Sequence, residues 1–134
     1  MHKINEGKYK MTNTTHSKNG KMVVCLNVKD LKASNEFYKK LGFAQIGGNI
    51  KKEWSIMNDG ENELHLFQGH VSSNTLNFRG GDVFAIAASL KTQGLKMTSD
   101  AKKESDGSDG AWINDPDDNT IYFNTAPGER RFNT

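Results

Sequence analysis

The chain repeats itself, and the repeat restricts the fold more than any single motif does. Asp30 and Asp82 are each followed twelve residues later by a glycine, Gly42 and Gly94. At this offset of 52, Leu26 matches Phe78, Leu31 matches Val83, Tyr38 matches Leu90 and Phe43 matches Leu95. Further on, NDGENELHLF (58–67) matches NDPDDNTIYF (114–123) apart from one inserted residue. At an offset of 57 this pairs Leu64 with Ile121, His65 with Tyr122 and Leu66 with Phe123. Self-similarity on this scale means one supersecondary unit used twice, each copy burying a face it cannot cover alone.

The unit can be read from its first copy, Met22–Phe43. Met22–Val28 is apolar or β-branched, as a half-buried strand requires. Asp30 changes the period: its carboxylate is placed to cap a helix, and Ser34, Phe37, Tyr38 and Leu41 follow at the spacing of one buried face. Lys32, Glu36, Lys39 and Lys40 fall elsewhere on that wheel, and Gly42 terminates it. Phe43–Gly48 continues as a strand, with a turn at Gly47, Gly48 and Asn49. Lys51–Met57 alternates around Trp54 and Ile56, and Asn58-Asp59-Gly60 marks a hairpin. In Glu63–Gln68, Leu64 and Leu66 share one face while Glu63, His65 and Phe67 share the other. In the second copy Val83, Ile86, Ala87 and Leu90 form the matching helical stripe.

The expected fold class is therefore α+β: two tandem βαβββ modules, about 22–69 and 74–125, forming a curved mixed sheet around a cleft with the helices outside. Strand alternation assigns the inward side chains. With Val24, Leu26 and Val28 under the helix, Val23, Cys25 and Asn27 face the cleft, and their repeat partners are Thr75, Asn77 and Arg79.

At 134 residues one domain is expected. Residues 1–21 hold five lysines against one acid and lack periodicity, so a flexible basic tail is expected there, with Met11 and Met22 as alternative starts. Residues 126–134 read as a C-terminal tail. The net charge of +2 gives no sign of a nucleic-acid partner, and no membrane partner is expected. A single cysteine and the lack of an apolar leader or span make a cytoplasmic location the default. The mixed-charge segment 99–110 reads as a connection between strands, whose acids would attract a cationic ligand if it overhung the cleft.

VKDLKASNEFYKKLGF (28–43), its weaker echo GGDVFAIAASLKTQGL (80–95) and DPDDNTIYF (115–123) together resemble the vicinal oxygen chelate superfamily of glyoxalase I, extradiol dioxygenases and bleomycin-resistance proteins. In its metalloenzymes four inward residues hold a divalent cation. The resemblance carries those positions onto Val23, His65, Thr75 and Tyr122, of which only His65 is an ordinary ligand, whereas a catalytic divalent site needs about three. No cofactor is expected, and the chain is similar to the metal-free bleomycin-resistance branch, which also implies a homodimer.

The expected binding surface combines Trp54, Phe67, Trp112 and Tyr122 as flat faces with Asn27, His65, Asn77 and Arg79 as directional polar groups. The function expected is metal-independent binding or sequestration of a planar or cationic small molecule, such as an antibiotic, without a catalytic residue. The alternatives are a glyoxalase-like lyase or isomerase with an unusual metal site, a metal-free enzyme using His65 as base, and a non-catalytic interaction module.

Overall fold

The computed structural model describes residues 17–129. The expectations for 1–16 and 130–134 lie outside them. The elements are β1 (Gly20–Asn27), α1 (Leu31–Lys40), β2 (Ala44–Asn49), β3 (Trp54–Asn58), β4 (Glu63–Phe67), β5 (Thr75–Gly80), α2 (Val83–Thr92), β6 (Ser99–Lys103), β7 (Asp109–Asn114) and β8 (Thr120–Thr125). A 3-10 turn at Ile50–Lys52 joins β2 to β3. All eight strands belong to one curved sheet of order β2-β3-β4-β1-β5-β8-β7-β6, two βαβββ modules side by side.

The repeat appears as geometry. Asp30 accepts from the Ala33 amide and Asp82 from the Ala85 amide, each at 3.1 Å, so both helices start on the same cap. Both end at a glycine in the left-handed region, Gly42 (φ +102°) and Gly94 (φ +88°), followed by matching bonds from Phe43 to Tyr38 and from Leu95 to Leu90. The turns before β4 and β8 also agree. Asp59 accepts from the Glu61 and Asn62 amides, Asp115 from those of Asp117 and Asn119.

Each module pairs its first and last strands in parallel, β1 with β4 and β5 with β8. The pair Cys25↔His65 recurs as Asn77↔Tyr122. The modules join through one antiparallel ladder, β1 against β5, from Gly20↔Gly80 to Cys25↔Thr75. Within it Val24 faces Leu76, and these two are separated by the repeat offset itself, which puts the pseudo-two-fold axis through that pair.

Helix-side packing forms two clusters, one per module. Under α1 lie Leu31, Met57 and Leu66 with Leu26, Val28, Tyr38, Phe43 and Leu64. Under α2 lie Val83, Ile86, Ala87, Ala111, Ile113 and Phe123 with Phe78 and Leu90. A buried Leu or Met side chain contributes about 1.5–3 kcal/mol by leaving water, so these clusters hold each helix to its half-sheet.

Four expectations change. The buried face of α1 is Leu31, Asn35 and Tyr38, while Phe37 and Leu41 are 57% and 60% exposed. The helix is rotated because Asn35 reaches Gln45 on β2 at 3.1 Å. The first strand begins at Gly20, not Met22, since Gly20 and Lys21 still pair with Gly80 and Arg79. The 99–110 segment is a hairpin: β6 pairs with β7 through Lys103↔Asp109 and Lys102↔Gly110, its charges suiting an edge strand. Glycines 47 and 48 belong to β2, with a bulge between Gln45 and Gly47, and the turn is made by Ile50–Lys52 and Glu53 (φ 68°).

Candidate functional site

The face of the sheet away from the helices carries its side chains in rows that cross both modules. One row runs Trp54, Phe67, Asn27; the next Ile56, His65, Cys25, Thr75, Thr120; the next Val23, Asn77, Tyr122, Trp112; and the last Lys21, Arg79, Asn124, Gly110. Every inward residue assigned from strand parity lies on this face, because a half-buried strand must keep its alternation.

A cavity of about 440 Å³ lies against this face. Phe67, Trp112 and Tyr122 supply its rings; Thr75, Asn77, Arg79, Thr120 and Asn124 its polar groups; and His70–Ser73 its rim. That volume is in the range of sites for small organic molecules. Among the described residues no carboxylate lines it. A concavity of about 500 Å³ beside α2 is larger, but it lies on the outer face, carries no ring, and is lined by groups such as Lys18, Asn19, Ser89 and Gln93.

Five of the eight residues expected to bind ligand line the cavity: Phe67, Asn77, Arg79, Trp112 and Tyr122. The other three share the face without lining it. Trp54 stacks behind Phe67, ring centres 6.2 Å apart and planes within 6°. Asn27 sits exposed at the strand end, where its amide donates to Asn74. His65 is 3% exposed, with Phe67 tilted against it at 6.4 Å.

His65 Nε2 lies 2.7 Å from Glu63 Oε2. An ionised carboxylate only accepts, so Nε2 carries the proton in this pair. Burial holds the imidazole below its usual pKa, against the opposing pull of Glu63. Burial also pushes Glu63 upward, but the bond from His65 and the nearby charges of His65, Lys21 and Arg79 bring it below the ordinary carboxylate value. The result is a neutral imidazole held by an anion.

Asn77 ties the centre together. Its Nδ2 donates to Asn124 Oδ1 at 2.8 Å and to the Tyr122 carbonyl at 3.1 Å, and its Oδ1 meets Cys25 Sγ at 3.8 Å. Burial pushes the Cys25 thiol up to about 11, with Arg79 acting weakly the other way, so the thiol is inert at neutral pH. Tyr122 is also raised, first by burial and then by the acids Glu104 and Asp106. A Cβ at residue 110 would fall 2.5 Å from Glu104 Oε1 and 2.8 Å from the Tyr122 hydroxyl, so Gly110 leaves room for both groups.

Arg79 is gripped from the C-terminal side. Its Nε and Nη2 donate to Glu129 Oε2 and Oε1 at 2.9 and 3.1 Å. Three acids of the β6–β7 hairpin are engaged locally, Asp100 with Lys91, Asp106 with Ser108 and Asp109 with Lys103, while Glu104 acts on Tyr122.

The four superfamily metal positions do not fit a cation. Val23 has no donor atom, His65 Nε2 is taken by Glu63, and Thr75 Oγ1 donates to the Ser73 carbonyl. Among the described residues no three His, Cys, Asp or Glu side chains converge. Sequence reasoning missed Glu63, Gly110 and Glu129 as site residues. Glu63 was legible in the alternation that selected His65, whereas Glu129 arrives from 50 residues away with no local signal.

No family model matches the sequence, and no curated protein matches it. Solved structures do share its fold. The chain is similar to an NAD-dependent benzaldehyde dehydrogenase from Legionella pneumophila, at 16% identity and TM-score 0.67 over 79% of this chain and 99% of that one. A glyoxalase/bleomycin resistance protein/dioxygenase superfamily member from Vibrio splendidus gives 14%, 0.62, 78% and 97%. The methylmalonyl-CoA epimerase of Streptomyces coelicolor gives 18%, 0.51, 83% and 95%. The architecture is that of the glyoxalase/vicinal oxygen chelate fold, and such different names on one fold show that the fold does not select a reaction.

Proposed function

We propose, from the premise of a glyoxalase/bleomycin-resistance fold, that the cleft is a metal-independent binding site for a small planar organic molecule. The observation that carries this is the 440 Å³ cavity spanning both modules, with the rings of Phe67, Trp112 and Tyr122 in its lining. Each ring contact adds about 0.5–1.5 kcal/mol beyond area burial, so three of them with the polar lining support micromolar retention. Among the described residues the lining includes Arg79 and no acid, but Arg79 is paired with Glu129 and the acids Glu104 and Asp106 act on Tyr122, so charge does not choose between an acidic and a cationic ligand. The poor fit of the donor set to a divalent ion supports a ligand held without metal.

The test is tryptophan fluorescence titrated with planar aromatic acids, amides and amines. Quenching should survive Trp54→Phe and vanish in Trp112→Phe, since only Trp112 lines the cavity. Silence across the panel would favour the packed interaction module instead.

One observation favours a second reading, a metal-free isomerase or lyase. The 2.7 Å Glu63–His65 pair has the composition of a general base and its orienting carboxylate. Because His65 is buried outside the lining, this reading requires the site to rearrange before the base meets a substrate. Ligand recovered chemically unchanged after long incubation supports the binder. Turnover abolished by Glu63→Gln would replace it with the enzyme.

A further inference from the structure

We infer that Asn124 presents its amide to this cavity as a fixed hydrogen-bond donor, so that the planar ligand carries a neutral acceptor, such as a ketone or lactam carbonyl, at that point. The inference rests on the binding reading above and adds the group the ligand must bear. Its origin is a backbone carbonyl. A carbonyl oxygen only accepts, so the side-chain atom of Asn77 that lies 3.1 Å from the Tyr122 carbonyl is the amide nitrogen. The same nitrogen donates to the Asn124 side chain at 2.8 Å, so the atom it meets there is Oδ1. The nitrogen of Asn124 is thereby turned away from Asn77, and among the described residues it has no hydrogen-bond partner.

The relay is locked at its source and reachable at its end. Asn77 is 3% exposed, and reversing its amide would set Oδ1 against the Tyr122 carbonyl, two acceptors facing each other out of water's reach. In the present orientation Oδ1 faces the Cys25 thiol, a weak donor, so both ends of the amide agree. Asn124 is partly exposed and lines the cavity, two residues along β8 from Tyr122 and so about 7 Å further on the same face. A molecule laid against the rings of Tyr122 and Trp112 therefore brings its edge to Asn124. Charges of both signs flank that residue in its row, Arg79 held by Glu129 on one side and Glu104 over Gly110 on the other. The neutral amide between them selects by hydrogen-bond polarity, not by charge. A ligand presenting an N–H or O–H there would set donor against donor.

The experiment compares 2-acetylnaphthalene with 2-isopropenylnaphthalene, which share a shape and differ in C=O against C=CH2, on the full chain and its Asn124→Asp and Asn124→Ala variants. Aspartate keeps the size of asparagine and still accepts from Asn77, but it has no proton to offer a ligand. Binding is read by calorimetry, and the donor by the Asn124 Nδ2–H resonances, assigned through their own backbone in the unsubstituted protein. The ketone should move those resonances downfield and the alkene should not. The preference for ketone over alkene should fall about fivefold in either variant, the weight of one neutral hydrogen bond. The same preference in all three proteins, or a ketone that binds without moving the Asn124 resonances, would overturn the donor and leave the binding reading standing. Binding of neither probe to the unsubstituted protein would overturn both.

Discussion

Replacing Glu63 by Gln tests whether the carboxylate or mere hydrogen bonding holds His65 in place. The amide can still accept from Nε2, so the 2.7 Å contact survives as a neutral bond. A charge-assisted bond is about twice as strong as a neutral one, and a neutral one contributes about 1 kcal/mol net, so the loss at neutral pH should be about 1 kcal/mol. Lys21, 3.8 Å from Glu63 and about half exposed, adds little to that loss. For a domain of this size the shift in Tm is about 4 °C. The proton affinity of His65 gives a sharper readout. Burial lowers it, and the bond and charge of Glu63 are the main influences raising it. The wild-type His65 Cε1–H resonance should therefore titrate below 6.5, and its midpoint should fall further in Glu63→Gln. The sign for stability follows. The unfolded chain takes up a proton near 6.5 while the folded one resists, so stability declines as pH falls below about 6.5 towards the folded midpoint, and in the variant the decline continues to lower pH. A wild-type midpoint at or above 6.5, or one that rises on substitution, would refute this account of the pair.

Cys25, buried with its thiol near 11, should resist alkylation by iodoacetamide at pH 7.5 in the native protein and react fully in urea; rapid native labelling would contradict its placement. Leu66→Ala, at a fully buried position in the α1 cluster, should cost about 3 kcal/mol in a urea melt without changing the m-value.

Much of the fold was legible because its signals are local and occur twice. Asp30 and Asp82 each satisfy an amide three residues ahead, and Gly42 and Gly94 adopt a backbone that a side chain would strain. Those interactions need no knowledge of the rest of the chain. The orientation of α1 was not legible. Its apolar spacing points to Phe37 and Leu41, but the helix turns Asn35 inward to meet Gln45, a partner ten residues away that helical period cannot register. β6 was read as a connection because its inward contribution to the core is only Ala101. In the site, strand parity correctly placed residues on the concave face but could not determine depth. Trp54 and His65 are on the expected face, yet neither lines the cavity: Trp54 stacks behind Phe67, and His65 is buried beside it.

The β1–β5 ladder acts as the spine of an open book. Phe67 belongs to one page and Trp112 and Tyr122 to the other, and a single run of pairs from Gly20↔Gly80 to Cys25↔Thr75 holds the pages together. The distance between those rings therefore follows from the twist along that spine, and a small change in twist is magnified at the outer margins. Val24 and Leu76, paired at the centre of that ladder, lie on the crease about which the two pages are related.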